Sequence, residues 1–345
     1  RWFGACLSAY GICYNKDDDI AAAGEGSAEA PPASWSDLAR PERFGRIALA
    51  DPSKSAAATK AFEMVIQQQM NVRAAALASE GAADVETRAP IDGWVTAMRL
   101  IRRIAANARY FTDSGVKVPL DVASGDASAG MCVDFYGRFE SEASARGGAS
   151  HLGFVLPRGG TSIGADPIAR LRGAPHPDLA REFLEFVLSV DGQKLWNFKV
   201  GTPGGPTRYA LRRLPILPAL YAPDFAKLRS DPNDDPYRDA ASFTYHPAWT
   251  GALFRAISFV VRVSCVDTED ELATAYRELI RSHFPPRATA LFDDVSIIDY
   301  PTVSKKIRAT LTSPNPLDEA VLASELVRRH RDQYREVARL AQEGL

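Results

Sequence analysis

The chain has 345 residues, 46% apolar and 24% charged, with a formal net charge of −2. That composition supports a sizeable core and leaves room for two lobes or domains. The near-neutral balance gives no electrostatic footprint for nucleic acid or an anionic membrane surface. The most apolar window, residues 254–263, carries Arg255 and Arg262 and is too short to cross a bilayer.

Residues 2–15 are apolar and β-leaning, ending in Tyr14-Asn15. Residues 17–34, with three consecutive acids and then Gly, Ala, Ser, Glu and Pro, read as a surface loop. A short capped helix is expected at 34–38. The stretch that organises the chain follows at 45–57. Ile47, Ala48, Leu49 and Ala50 make a short apolar run of the kind a parallel sheet buries on both faces. Asp51-Pro52-Ser53 breaks it, and an alanine-rich helix runs from Ser55 to about Ser79 with Ala58, Phe62, Val65, Ile66 and Met70 on one face. A strand feeding a Ser-rich helix start leaves free N–H groups and positive dipole at the sheet's carboxyl edge, where open α/β sheets hold anions. A merely capped helix is the competing reading of the same residues.

A loop is expected at 80–91, then an amphipathic helix at 93–110 with Trp94, Met98, Ile101 and Ile104 at helical spacing. Its Arg99, Arg102, Arg103 and Arg109 read as a solvated face. Residues 116–122 are expected as a strand, 129–136 as a second buried strand ending in Asp134-Phe135-Tyr136, and 152–156 and 167–171 as further strands. A helix at 178–190 is expected to turn Leu179, Phe183, Phe186 and Val187 inward, with a short helix at 193–197 and a Gly/Pro-rich loop at 200–206. Beyond Tyr209 the pattern is mostly helical, at 222–229, 249–263, 269–283 and 317–343. Asn315 is placed to cap the last of these, with Pro316 at its first position.

The glycine clusters fit neither a dinucleotide fingerprint nor a P-loop, and no nucleophile elbow or His-Glu-x-x-His motif occurs. The four cysteines and five histidines are scattered without metal spacing, so buried free thiols and no zinc site are expected. The groups suited to holding a ligand are Ser53, Ser55 and the backbone N–H groups of Ala56 and Ala57, with Asp134 and Tyr136 at a neighbouring strand end. A carboxylate inside an apolar strand needs a partner, whereas a strand-end tyrosine is commonly core with its hydroxyl at the surface.

Four stretches together resemble the solute-binding components of ABC importers with the type II periplasmic binding fold, near the iron(III)-binding group and its phosphate-ester and phosphonate-binding relatives. They are residues 1–15 ending in Tyr-Asn; 45–57; Val-Ala-Ser-Gly-Asp-Ala-Ser-Ala-Gly-Met-Cys-Val-Asp-Phe-Tyr at 122–136; and 156–193 with Pro-Arg-Gly-Gly-Thr, Gly-Ala-Pro-His-Pro and Leu-Ser-Val-Asp-Gly-Gln. The resemblance implies an α/β fold of two lobes joined by hinge strands, with a mostly helical C-terminal region. Residues 1–34 would form a hinge segment and first-lobe remnant with loop, 35–157 the second lobe, 158–206 the return to the first lobe, and 207–345 the helical region packing on the lobes. It also implies an anion site at Ser55, Ala56 and Ala57. The family's iron-binding Tyr-Tyr pair falls on Phe135 and Tyr136, so one phenolate is missing, and a small anionic or polar solute (a phosphate ester or phosphonate) is favoured over a ferric ion. The implied protein is a periplasmic or otherwise extracytoplasmic binder without catalysis or cofactor. It would hand its ligand to an ABC transporter permease, with no nucleic-acid partner and no membrane insertion of this chain. A hydrolase or transferase acting on a phosphorylated small molecule, and a ligand-sensing domain, are the alternatives. The family's opening β-α-β stretch has no counterpart after Arg1, so either part of the first lobe is missing from this sequence or the protein has diverged from the family there.

Overall fold

A computed structural model describes residues 1–18, 31–145 and 150–345. Most of the loop expected at 17–34 lies outside the described residues. The apolar N-terminal stretch forms two strands, β1 (Phe3–Ser8) and β2 (Tyr10–Asn15), separated by Ala9 alone. They belong to different sheets. β1 pairs antiparallel with β7 (Gly164–Ile168), and β2 lies in a five-stranded sheet with β3 (Ile47–Ala50), β4 (Ala108–Thr112), β5 (Ala129–Val133) and β6 (Leu152–Val155). The order is β4-β3-β5-β2-β6. β3 runs parallel to β4 and β5, while β2 runs antiparallel to β5 and β6. The carboxyl ends of β3, β4, β5 and β6 therefore share one edge. At that edge the chain crosses twice to the smaller sheet, once at Ala9 and once between β6 and β7.

Strand alternation divides the core into two layers. Ile12, Ile47, Leu49, Ala129 and Met131 face the long helices α1 (Ala56–Ser79) and α2 (Val85–Ala106), and Cys13, Ala48, Ala50 and Cys132 face Val118 and Val122 of α3 (Lys117–Ser124). Gly130 is required where β5 meets α3: an added Cβ would lie 2.4 Å from Val118 Cγ1 and 2.7 Å from the Ala48 carbonyl oxygen. The next helix, α4 (Asp134–Ala143), begins directly after β5.

The long helix from Ser55, its N-cap, and β3 form as the sequence predicts. Residues 117–124 are helical rather than extended: the β-branched valines favour a strand locally, but Val118 and Val122, one helical turn apart, bury against the sheet. The loop expected at 80–91 is cut short because α2 begins at Val85, with Pro90 tolerated inside it. The helix expected to reach residue 110 ends at Ala106, and Ala108–Thr112 becomes the edge strand β4. The strand expected to reach Tyr136 stops at Val133, so Asp134 opens α4. The strand expected at 167–171 lies earlier, at Gly164–Ile168.

Helix α5 (Pro177–Leu188) departs furthest from expectation. Only Val187 is buried; Leu179, Phe183 and Phe186 are 64%, 58% and 47% exposed. Their apolar face is real, yet no described residue covers it. The short α6 (Val190–Asn197) follows.

The helical C-terminal region includes α7 (Phe254–Val261), α8 (Glu269–Arg281), α9 (Pro286–Phe292) and α10 (Pro316–Gln342). Asn315 caps α10 by accepting from the Leu317 N–H. These helices share one continuous core with α1 and α2. Trp94 donates to the Ile298 carbonyl at 2.8 Å and Tyr276 to the Ala39 carbonyl at 3.1 Å. Among the described residues no helix is long and apolar enough to cross a membrane, and all four cysteines are free and buried.

Candidate functional site at the carboxyl edge

The turn from β3 to α1 is built around Asp51. Its carboxylate accepts from the Ser53 N–H at 2.7 Å, and its carbonyl accepts from Lys54 and Ser55 at 3.1 and 2.9 Å. Ser55 Oγ then accepts from Ala58 at 3.2 Å as the N-cap. These bonds consume the N–H groups of residues 53, 54, 55 and 58. The N–H groups of Ala56 and Ala57 have no partner among the described residues, and they sit at the positive end of a 24-residue helix. Ser53 is exposed, but its N–H is already spent, so it offers only its hydroxyl.

The turn is held from behind. Thr59 and Ser258, the latter on α7, both donate their hydroxyls to the Pro52 carbonyl, at 2.7 and 2.9 Å. The loop after β4 closes the other side: Asp51 donates its N–H to the Thr112 carbonyl at 2.8 Å, and a Cβ on Gly115 would stand 3.0 Å from Ser55 Oγ. Asp113, Ser114 and Lys54 are exposed around this helix start.

The neighbouring strand end holds the other two sequence candidates. Asp134 is fully buried, donates its N–H to the Ala9 carbonyl at 2.8 Å and receives Arg138 Nη1 at 2.6 Å. Burial pushes its carboxyl up to about 6, against the pull of Arg138 and the N–H groups of Ala9 and Phe135. Its Oδ2 is taken up inside the protein by Arg138, while Oδ1 is buried with no hydrogen-bond partner among the described residues. Asp134, Arg138 and Glu142 make an alternating stripe at four-residue spacing on α4. Arg138 also reaches Asp234 at 2.8 Å and Asp231 at 3.8 Å, and Arg212 binds Asp231 and Glu142. Tyr136 is half-buried with its ring 4.3 Å from Phe135. The Phe135 ring in turn lies under the guanidinium of Arg213, 3.6 Å from its centroid.

The structure thus brings Ser53, Ser55, Ala56 and Ala57 into one turn, places Tyr136 at the adjacent strand end, and closes Asp134 into an ion network. Sequence reading missed Arg138 and Arg213. The four-residue step from Asp134 would have found Arg138 had residues 134–143 been read as helix. Arg213 is 78 positions from Phe135 and carries no local signal.

A cavity of about 740 Å³ lies elsewhere, along the outer edge of β6 and lined by Arg138, Arg212, Asp231 and Asp234 among others. Those charged walls are already paired with one another, whereas the α1 start presents unpaired donors. We therefore place the candidate site at the α1 start. Among the described residues no group of three His, Cys, Asp or Glu could hold a metal ion.

Residues 10–198, more than half of the chain, match the family model of bacterial extracellular solute-binding proteins. The chain belongs to that family. Two sheets joined by two crossing segments are the arrangement of its type II periplasmic binding fold. An uncharacterised protein of Haemophilus influenzae is 24% identical over 164 residues, 48% of this chain and 39% of that protein. The solved structure of the periplasmic binding protein AfuA from Actinobacillus pleuropneumoniae, with fructose-6-phosphate bound, is 23% identical over 56% of this chain and 50% of that one, at a TM-score of 0.41. Iron-bound HitA from Pseudomonas aeruginosa is 17% identical over 75% of this chain and 69% of that one, at a TM-score of 0.43. The chain spans half or less of the length of the first two of these relatives.

Proposed function

We propose that this chain captures a small anionic solute outside the cytoplasm and delivers it to the permease of an ABC importer, without chemistry on the ligand. The observation that carries the reading is the pair of unpaired N–H groups of Ala56 and Ala57, set where β3, β4 and β5 end, on the sheet edge at which the chain crosses to the smaller sheet. Backbone N–H groups at a helix start bind phosphoryl and carboxylate oxygens well. A phosphate ester or phosphonate is the solute class we favour. Phe135, stacked under Arg213, offers no anionic oxygen to a ferric ion, which wants several. In this reading Ser55 orients the helix start, Ser53 adds a hydroxyl and Tyr136 closes the adjacent strand end. Residues 35–157 act as one lobe and 158–206 return the chain to the other, with the helical residues 207–345 packed on them.

The test is calorimetric titration with hexose phosphates, phosphonates, inorganic phosphate, Fe(III)-citrate and a polyamine, on the unsubstituted protein and on Ala56→Pro. Proline suits the first helical position, and Ser55 already has the extended conformation (φ −126°, ψ 110°) that a following proline needs. The variant deletes one N–H and leaves the helix intact. Loss of a hydrogen bond to a charged oxygen lowers affinity roughly tenfold or more. Unchanged affinity in Ala56→Pro would remove the helix start from the site.

A further inference from the structure

Arg213 leaves the segment after the smaller sheet and reaches back to the first turn of α4. Three contacts fix its guanidinium: an ion pair from Nη1 to the Asp166 carboxylate on β7, Cys6 Sγ at 3.8 Å, and the Phe135 ring at 3.6 Å. Asp166 is itself held by Ser8 Oγ at 3.0 Å, so the cation's seat is built by both strands of the smaller sheet. Nε and Nη2 make no hydrogen bond to any described residue, and the side chain is 27% exposed. An oriented guanidinium with one free planar edge is suited to take two oxygens of one anion.

Its position matters as much as its posture. Phe135 follows the end of β5, and β5 is the parallel neighbour of β3, whose end leads into the α1 start. Both sites therefore open at the carboxyl ends of adjacent strands, the edge at which one phosphoryl group would meet both. The hydroxyl of Tyr136, whose ring packs on Phe135, is also without a partner among the described residues.

We propose that Arg213 selects the charge of the bound solute: its free guanidinium edge takes a phosphate monoester dianion in preference to a singly charged diester. The proposal rests on the reading of the α1 start as the anion site. A lone structural role, holding Asp166 and the crossing segment in place, would strengthen or weaken all solutes alike. A specificity role changes their ratio.

The experiment compares a hexose 6-phosphate with its methyl diester at pH 7.5, by calorimetry, on the unsubstituted protein, Arg213→Met, Arg213→Lys and Ala56→Pro. Methionine keeps a stem over Phe135 and removes the charge. The unsubstituted protein should prefer the monoester. Arg213→Met should weaken the monoester by about tenfold, the cost of losing a charge-assisted pair, and the diester less than threefold. Arg213→Lys, which keeps charge but not the planar edge, should give an intermediate ratio and serves alone should the methionine variant not fold. Equal loss for both esters, or none for either, overturns the proposal. Ala56→Pro weakening both esters while Arg213→Met changes nothing would leave the helix-start reading standing and remove Arg213 alone. No binding of either ester by the unsubstituted protein would remove both.

Discussion

His330 gives the sharpest quantitative expectation. It is fully buried on α10, beside Tyr334 and close to Arg102, itself 2% exposed. Its Nδ1 lies 3.4 Å from Gln333 Oε1, and its Nε2 has no partner among the described residues. Burial, reinforced by the Arg102 guanidinium, drives its pKa down to about 3 from an ordinary 6.5. The folded protein therefore binds fewer protons than the unfolded chain between those values. Stability from this group is fully present above pH 6.5 and drains as pH falls towards 3. Between pH 7.5 and 4.5 the loss is about 2.7 kcal/mol, approaching 1.36 kcal/mol per unit below pH 6.5. Asp134, raised to about 6, works in the opposite sense, since its folded form takes up a proton more readily than its unfolded form as pH falls through 6. The total pH profile thus conceals the His330 contribution. A difference between proteins isolates it. Urea denaturation of the unsubstituted chain and His330→Gln, at half-unit steps from pH 7.5 to 4.5, should show the gap between them shifting by about 2.7 kcal/mol in favour of the variant at acid pH. Parallel stability curves across that range would refute the argument that the imidazole is held neutral.

Removing Arg138 strands the fully buried Asp134 carboxylate, so Arg138→Met should cost about 3 kcal/mol in urea denaturation at pH 7.5. Adding Asp134→Asn to that variant should recover at least about 1 kcal/mol, and no recovery would contradict the pairing. Phe183→Ser should change stability by no more than about 0.5 kcal/mol, because the side chain is more than half exposed. A loss of about 3 kcal/mol or more, as for a core aromatic, would show that the α5 face is covered in solution.

What could be read in the sequence, and what could not, follows from where each signal lies. The strand at 47–50, the Ser55 cap and the Asn315-Pro316 start of α10 were legible because capping chemistry is local. Residues 117–124 were misread because valine-rich composition favours a strand while tertiary packing of Val118 and Val122 favours a helix. β4 was hidden because the apolar pattern of α2 runs on into it through Asn107, with no glycine or proline between them. At 134–136 a carboxylate among apolar residues signals that Asp134 needs a partner, and Arg138 of the same helix pairs with it. Leu179, Phe183 and Phe186 do form one helical stripe, but periodicity reports that a face is apolar, not that something covers it. The free N–H groups at Ala56 and Ala57 could be located from sequence; the seat of Arg213 on Asp166, Cys6 and Phe135 could not, because it joins residues far apart in the chain.

The central claim is that solute binds at the α1 start. Amide chemical shifts of selectively labelled protein, followed while a hexose 6-phosphate is titrated in, test it most directly. The amide protons of Ala56 and Ala57 should shift first and furthest, as N–H groups newly bonded to an anion do. Movement confined to Phe154 and Leu156, along the cavity beside β6, with Ala56 and Ala57 unmoved, would contradict it.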